Sequence, residues 1–155
     1  MDWGPLTSTA LGALIGVATT LAADHLRAVR GRTDTDRAGR QKLYGDYLAA
    51  LARTRNHLRI TARPATPPQE RADSAARAFR EGNAYELRYQ IAVVAPRDVV
   101  EASTAAFRAL RDLRDEVEQG AVATDHGYIE TRERWDALLA ELRIAMRRDL
   151  GRDAF

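Results

Sequence analysis

At 155 residues, with 45% hydrophobic and 30% charged side chains, the chain suits one folded domain and is too short for two independent cores. The absence of cysteine excludes disulfides, thiolate zinc sites and a cysteine nucleophile, and the three histidines (His25, His57, His126) are widely spaced with no glutamate three positions before any of them, against a carboxylate-histidine metal site. The net charge of +2 hides an asymmetry: nine basic and four acidic side chains lie between Asp24 and Arg59, against fifteen and seventeen from Ala62 to Phe155.

Aromatics are 6% of the chain and prolines number five, while alanine, leucine, arginine and glutamate dominate. That mixture predicts an all-α protein, while the missing dinucleotide, phosphate-loop and zinc motifs predict no bound cofactor.

The first predicted element is a transmembrane helix. Residues 3–23 carry no charge, and that length matches the ~20 residues a helix needs to cross the hydrocarbon. Asp2 precedes the stretch and the basic residues follow it, the reverse of a secretory signal, so an uncleaved anchor is expected. The positive-inside rule then puts the N-terminus outside and the rest in the cytoplasm, with Arg27, Arg30 and Arg32 at anionic lipid headgroups. Ser8, Gly12, Gly16 and Thr20 recur every fourth residue as a ridge of small side chains, a pattern that suits homo-oligomer formation by close helix pairing. The alternative is a soluble oligomeric bundle that buries this helix between subunits.

Residues 1–30 thus form the anchor and its basic flank, 31–40 a polar hinge, and 41–155 a cytoplasmic bundle. In the bundle, Tyr44, Tyr47, Leu48, Leu51, Leu58 and Ala62 fall on one face of a helix that ends before Pro64. A second helix is predicted from Pro68 or Gln69 to Val94, with Ala72, Ala76, Phe79, Leu87, Ile91 and Val94 inward and Gly82-Asn83 at most a bend. Pro96 marks a corner. The third helix runs to about Gln119 with Val99, Ser103, Ala106, Phe107, Leu110, Leu113 and Val117 inward, and Gly120 stops it. The fourth opens at Thr124 or Asp125, buries Tyr128, Trp135, Leu138, Leu139, Leu142 and Met146, and ends before Gly151. The whole predicts a transmembrane helix followed by an antiparallel up-and-down bundle of about four helices.

Asp125, His126, Glu130 and Glu133 are the nearest approach to an acid-base set, and they read as a capped, solvated helix start. Phosphate-loop, zinc-protease and nucleophile-elbow motifs are missing, so no enzymatic activity is expected. Arg53, Arg55 and Arg59 interleave with a core stripe, and the uncharged segment nearby favours lipid over nucleic acid as the partner of the basic region. Arg143, Arg147 and Arg148 complement the dipole of the last helix.

The runs Tyr44-Gly-Asp-Tyr47-Leu48-Ala-Ala, Ile91-Ala-Val-Val-Ala-Pro96-Arg-Asp-Val99-Val100-Glu-Ala102 and Met146-Arg-Arg-Asp149-Leu150-Gly151 resemble a loose group of short, single-pass, membrane-anchored helical proteins of GC-rich bacteria. That resemblance implies an anchor with a cytoplasmic helical body, and no activity. The sequence therefore predicts a membrane-anchored, non-enzymatic interaction or scaffold protein with a protein partner.

Overall fold

The structure, a computed structural model, describes residues 35–152. The chain divides between Gly39 and Arg40, and the unit described here is the second, beginning at Arg40. It contains α1 (helical through 35–61, of which 40–61 belong to this unit), α2 (Pro68–Glu81), α3 (Ala84–Val94), α4 (Arg97–Glu118) and α5 (His126–Asp149). The described residues include no strand.

The central element is α4, which packs against α2, α3 and α5. Its inward face is the predicted one: Val99, Ser103, Ala106, Phe107, Leu110, Leu113 and Val117 are all buried. Ser103 is tolerated there because its hydroxyl donates to the Val100 carbonyl at 2.9 Å. From α1, Tyr47, Leu51 and Leu58 enter the same core, and the Tyr47 hydroxyl donates to the Ser103 carbonyl at 3.1 Å. The last helix contributes Tyr128, Trp135, Leu139, Leu142 and Met146. Gly120 and Gly151 take positive φ, as expected of helix stops.

Both ends of the bundle are tied by polar contacts. At one end Asp149 accepts from Arg40 Nε at 2.9 Å and from the Tyr44 hydroxyl at 2.8 Å, while Arg152 donates to Gln41 at 3.0 Å. At the other, the Ala123 amide donates to the Ala62 carbonyl at 2.8 Å, and the buried Arg71 donates to the carbonyls of Gly120 and Thr66.

The expected fold class is corrected in two respects. No helix among the described residues is long and apolar enough to cross a membrane. The three with sufficient length, α1, α4 and α5, carry charged side chains along their outer faces. The stretch behind that expectation, with Ser8, Gly12, Gly16, Thr20, Arg27, Arg30 and Arg32, lies outside the described residues. Among the described residues the fold is all-helical and holds no membrane-spanning helix.

The second correction concerns helix number. The described residues form five helices of unequal length rather than about four similar ones, because the predicted helix from Pro68 to Val94 is two. Asn83 adopts φ 58, a left-handed conformation that ends α2, and Gly82 sits where the chain touches Thr54 of α1. The break also shifts the buried face of α2 by one position. Arg71, Ala75 and Ala78 are buried, while Ala72, Ala76 and Phe79 are only partly covered.

Three tyrosines make the core sensitive to alkali. Burial pushes the hydroxyls of Tyr44, Tyr47 and Tyr128 above the usual tyrosine range, and for Tyr44 the bond to Asp149 adds to the effect. A group that binds its proton more tightly when folded contributes stability below its unfolded pKa of about 10 and loses it as pH rises further. Stability should therefore stay level to about pH 9 and fall above about pH 10. The tyrosinate absorbance of these three should appear together with loss of helical circular dichroism. Ionisation of all the tyrosines at about pH 10 with the helices intact would contradict this coupling.

Candidate functional site

Large apolar side chains that remain exposed are concentrated on one element. Tyr85, Tyr89, Val93 and Val94 are 50%, 52%, 83% and 49% exposed, and elsewhere among the described residues only Ile60 and Ile144 join them. All four belong to α3. That helix buries Ala84, Leu87 and Ile91 and turns the rest of its surface outward. The sequence reading placed Val94 inward. It is exposed because α3 ends there and the chain leaves through an extended Ala95 into Pro96, before another inward turn can form.

Beneath the exposed ring faces lies a second tier of aromatic and arginine side chains. Phe79 of α2 and Phe107 of α4 meet at 5.3 Å between ring centroids, and Tyr85 lies 6.1 Å from Phe107. The Arg88 guanidinium rests over three rings, at 4.9 Å from Phe107, 5.1 Å from Tyr89 and 5.8 Å from Tyr85. Its Nε is buried without an acceptor, so the negative ring faces are what hold its charge in place. Arg114 covers Phe79 at 4.6 Å and is itself held by Asp115 at 2.5 Å and Glu118 at 3.3 Å. The ridge thus rests on a floor built from three helices, which fixes its shape.

Tyr85 and Tyr89 lie one turn apart, packed edge to face at 4.8 Å, with their hydroxyls 3.0 Å apart and hydrogen-bonded. That bond is the largest of the influences that raise the Tyr85 hydroxyl above the usual range. With Arg88 folded onto the rings, Glu86 is the one ionised group on the outer face of α3. Tyrosine, arginine and phenylalanine with little free charge is the composition of protein-binding hot spots. Tyrosines are suited to this because a large contact area is immobilised at the cost of few rotatable bonds.

Asp125, His126, Glu130 and Glu133, read from the sequence as a solvated helix start, stand apart from one another in solvent or in local pairs. His126 Nδ1 and Glu130 Oε2 are 3.8 Å apart with side chains 94% and 76% exposed, Asp125 accepts from the Val122 amide at 2.8 Å, and Glu133 pairs with Arg132 at 3.1 Å. Among the described residues no three histidine, aspartate or glutamate side chains converge as metal ligands. Arg53 and Arg59 are exposed, Arg59 donating to Asn56, whereas Arg55 lies over the Trp135 ring at 5.9 Å. Ser8, Gly12, Gly16, Thr20, Arg27, Arg30 and Arg32 fall outside the described residues, so the helix-pairing ridge and the headgroup contacts have no structural counterpart here.

Sequence reasoning passed over Tyr85, Tyr89 and Val93 because it treated the segment as the far half of a longer amphipathic helix. A usable signal was present: only two of the eleven side chains of α3 are charged, in a chain that is 30% charged throughout. No protein-family model, curated protein or solved structure matches this chain.

Proposed function

We propose that this protein is a non-enzymatic interaction module that docks another protein through the outer face of α3. The supporting observation is the concentration of exposed Tyr85, Tyr89, Val93 and Val94 on one helix over a rigid aromatic floor. The fitting occupant is an apolar, weakly charged face of a protein partner, because the ridge offers ring faces and hydroxyls but a single free carboxylate. Placement at a cell membrane belongs to the same proposal and rests on the sequence of residues 1–30 alone.

Site-specific photo-crosslinking in cells tests the docking face. A crosslinker at Val93 should give one discrete adduct, and a crosslinker at the exposed Glu141 of α5 should not. In a chain carrying Tyr89→Asp, that adduct should fall at least about tenfold, the usual loss when a hot-spot side chain is replaced by a charge. Equal labelling at both positions would remove the proposal. A product at twice the mass of the chain would make the occupant a second copy and replace the heterologous partner. Membrane placement is checked separately by flotation of the full chain, and complete recovery in the soluble fraction would withdraw it.

A further inference from the structure

A second surface, distinct from the α3 ridge, lies along the seam of α1 and α5. These helices run antiparallel: Arg40 meets Asp149 near the beginning of α1, and Arg55 meets Trp135 fifteen residues further on. One side of the seam is a furrow made of two clefts. The first, about 330 Å³, includes Gly45, Leu48, Met146 and Leu150 in its lining, together with Arg147 and Arg152. The second, about 320 Å³, includes Ala52, Leu139 and Trp135, together with Arg55 and Asp136. Arg143 lines both clefts, so they form one continuous furrow. From Gln41 to Asn56 it follows α1 for fifteen residues, or about 22 Å at the helical rise.

The charge of this furrow is one-sided. Four arginines line it against a single carboxylate, Asp136. The nearby Asp149 is already engaged by Arg40 and Tyr44. Arg143 and Arg147 have no ion pair among the described residues, and the Nε–H groups of Arg55 and Trp135 are buried without acceptors. An apolar floor with uncompensated cations along its edges attracts a partner that is apolar on one side and anionic on its flanks. Nucleic acid would match the cations but not the leucine and methionine floor.

We infer that this furrow is a docking groove for an acidic amphipathic helix of a partner protein. Four turns of helix span its length, with apolar side chains at every third or fourth position meeting Leu48, Leu139 and Met146. Carboxylates on the flanks of that helix face Arg143 and Arg147. The open backbone at Gly45 and the small Ala52 let the incoming helix approach closely.

The probe for the test is a fluorescent synthetic helix of about sixteen residues, with leucines at helical spacing flanked by glutamates. The controls are the same peptide with lysine for glutamate, a duplex DNA, and phosphatidylglycerol vesicles. The full chain should bind the acidic helix and not its lysine counterpart. Arg143→Glu with Arg147→Glu should weaken binding at least about tenfold, chiefly by slowing association. Gly45→Trp should block binding without altering charge, and it should leave the fold intact, since Gly45 is exposed and a Cβ built there meets nothing within 4 Å. Absence of binding to the acidic helix, or binding unchanged in both variants, would overturn the inference. So would DNA or vesicles that bind more tightly than the peptide and lose affinity in the same arginine variant. Tyr89→Asp on the α3 ridge should leave peptide binding unchanged, which separates this groove from the other surface.

Discussion

Replacement of Arg71 by methionine is expected to destabilise the fold by about 3 kcal/mol, on the order of 10 °C in Tm for a domain of this size. Arg71 is 5% exposed, and no carboxylate among the described residues pairs with it. Its acceptors are the Gly120 carbonyl, and the Thr66 carbonyl at 2.8 Å. These belong to the loop after α4 and the turn just before α2, so one side chain ties that turn and α2 to a loop 49 residues further along the chain. A well-packed hydrophobe in place of a buried charge is often harmless. Here methionine fills the volume but leaves two carbonyls without their donor, and each hydrogen bond from a charged group contributes about 1.5–3 kcal/mol before desolvation is subtracted. Chemical denaturation should show a lower midpoint with an unchanged slope. Arg71→Lys should recover part of the loss, since one ammonium has donors for both carbonyls but a shorter reach. A methionine variant as stable as the parent would show that water replaces the guanidinium at no cost.

Gly82→Ala should cost about 2 kcal/mol, although the same exchange in an ordinary helix gains about 1 kcal/mol. Backbone strain is not the reason. Gly82 has φ −68 and ψ −15, which alanine adopts readily. The obstacle is Thr54 of α1, whose Oγ1 would lie 2.0 Å from the new Cβ and whose own Cβ would lie 3.3 Å away, with the Ala78 carbonyl at 3.1 Å. Thr54 is 1% exposed and has little room to turn aside, so α1 and α2 must separate. Thr54→Ala removes the contact, along with a buried hydroxyl that has no hydrogen-bond partner. The double variant Thr54→Ala, Gly82→Ala should therefore be more stable than Gly82→Ala alone, with a coupling of at least about 1 kcal/mol in a double-mutant cycle. Strictly additive effects would mean that the close approach at Gly82 does not set the spacing of α1 and α2.

The two surfaces differ in how far the sequence disclosed them. Arg143 and Arg147 read naturally as cations at the end of a helix, where they oppose its dipole, and they do occupy the last turns of α5. That reading is local. Their role as a rim appears only once α1 places Gly45, Leu48 and Ala52 alongside. The stripe of Leu87 and Ile91 marked the inward side of α3, but nothing in it showed that Tyr85 and Tyr89, one turn apart, would stay exposed together with Val93 and Val94. Leu87 and Ile91 belong to the shared core, and α3 packs against α4.

Local chemistry in the sequence was enough for the all-helical class and for most helix boundaries. Pro64, Pro67, Pro68 and Pro96 deny backbone donors, Gly120 and Gly151 accept positive φ, and the three-and-four spacing on α1, α4 and α5 marks the faces that are buried. Tertiary structure decided the break at Gly82-Asn83, the burial of Arg71, the aromatic ridge and the arginine-rimmed furrow. Each of these depends on groups far apart in the chain: Thr54 against Gly82, Arg71 against Gly120, Arg88 against Phe107, Arg143 against Ala52. Helical periodicity reports only neighbours within a turn or two, so such pairings have no signature in it.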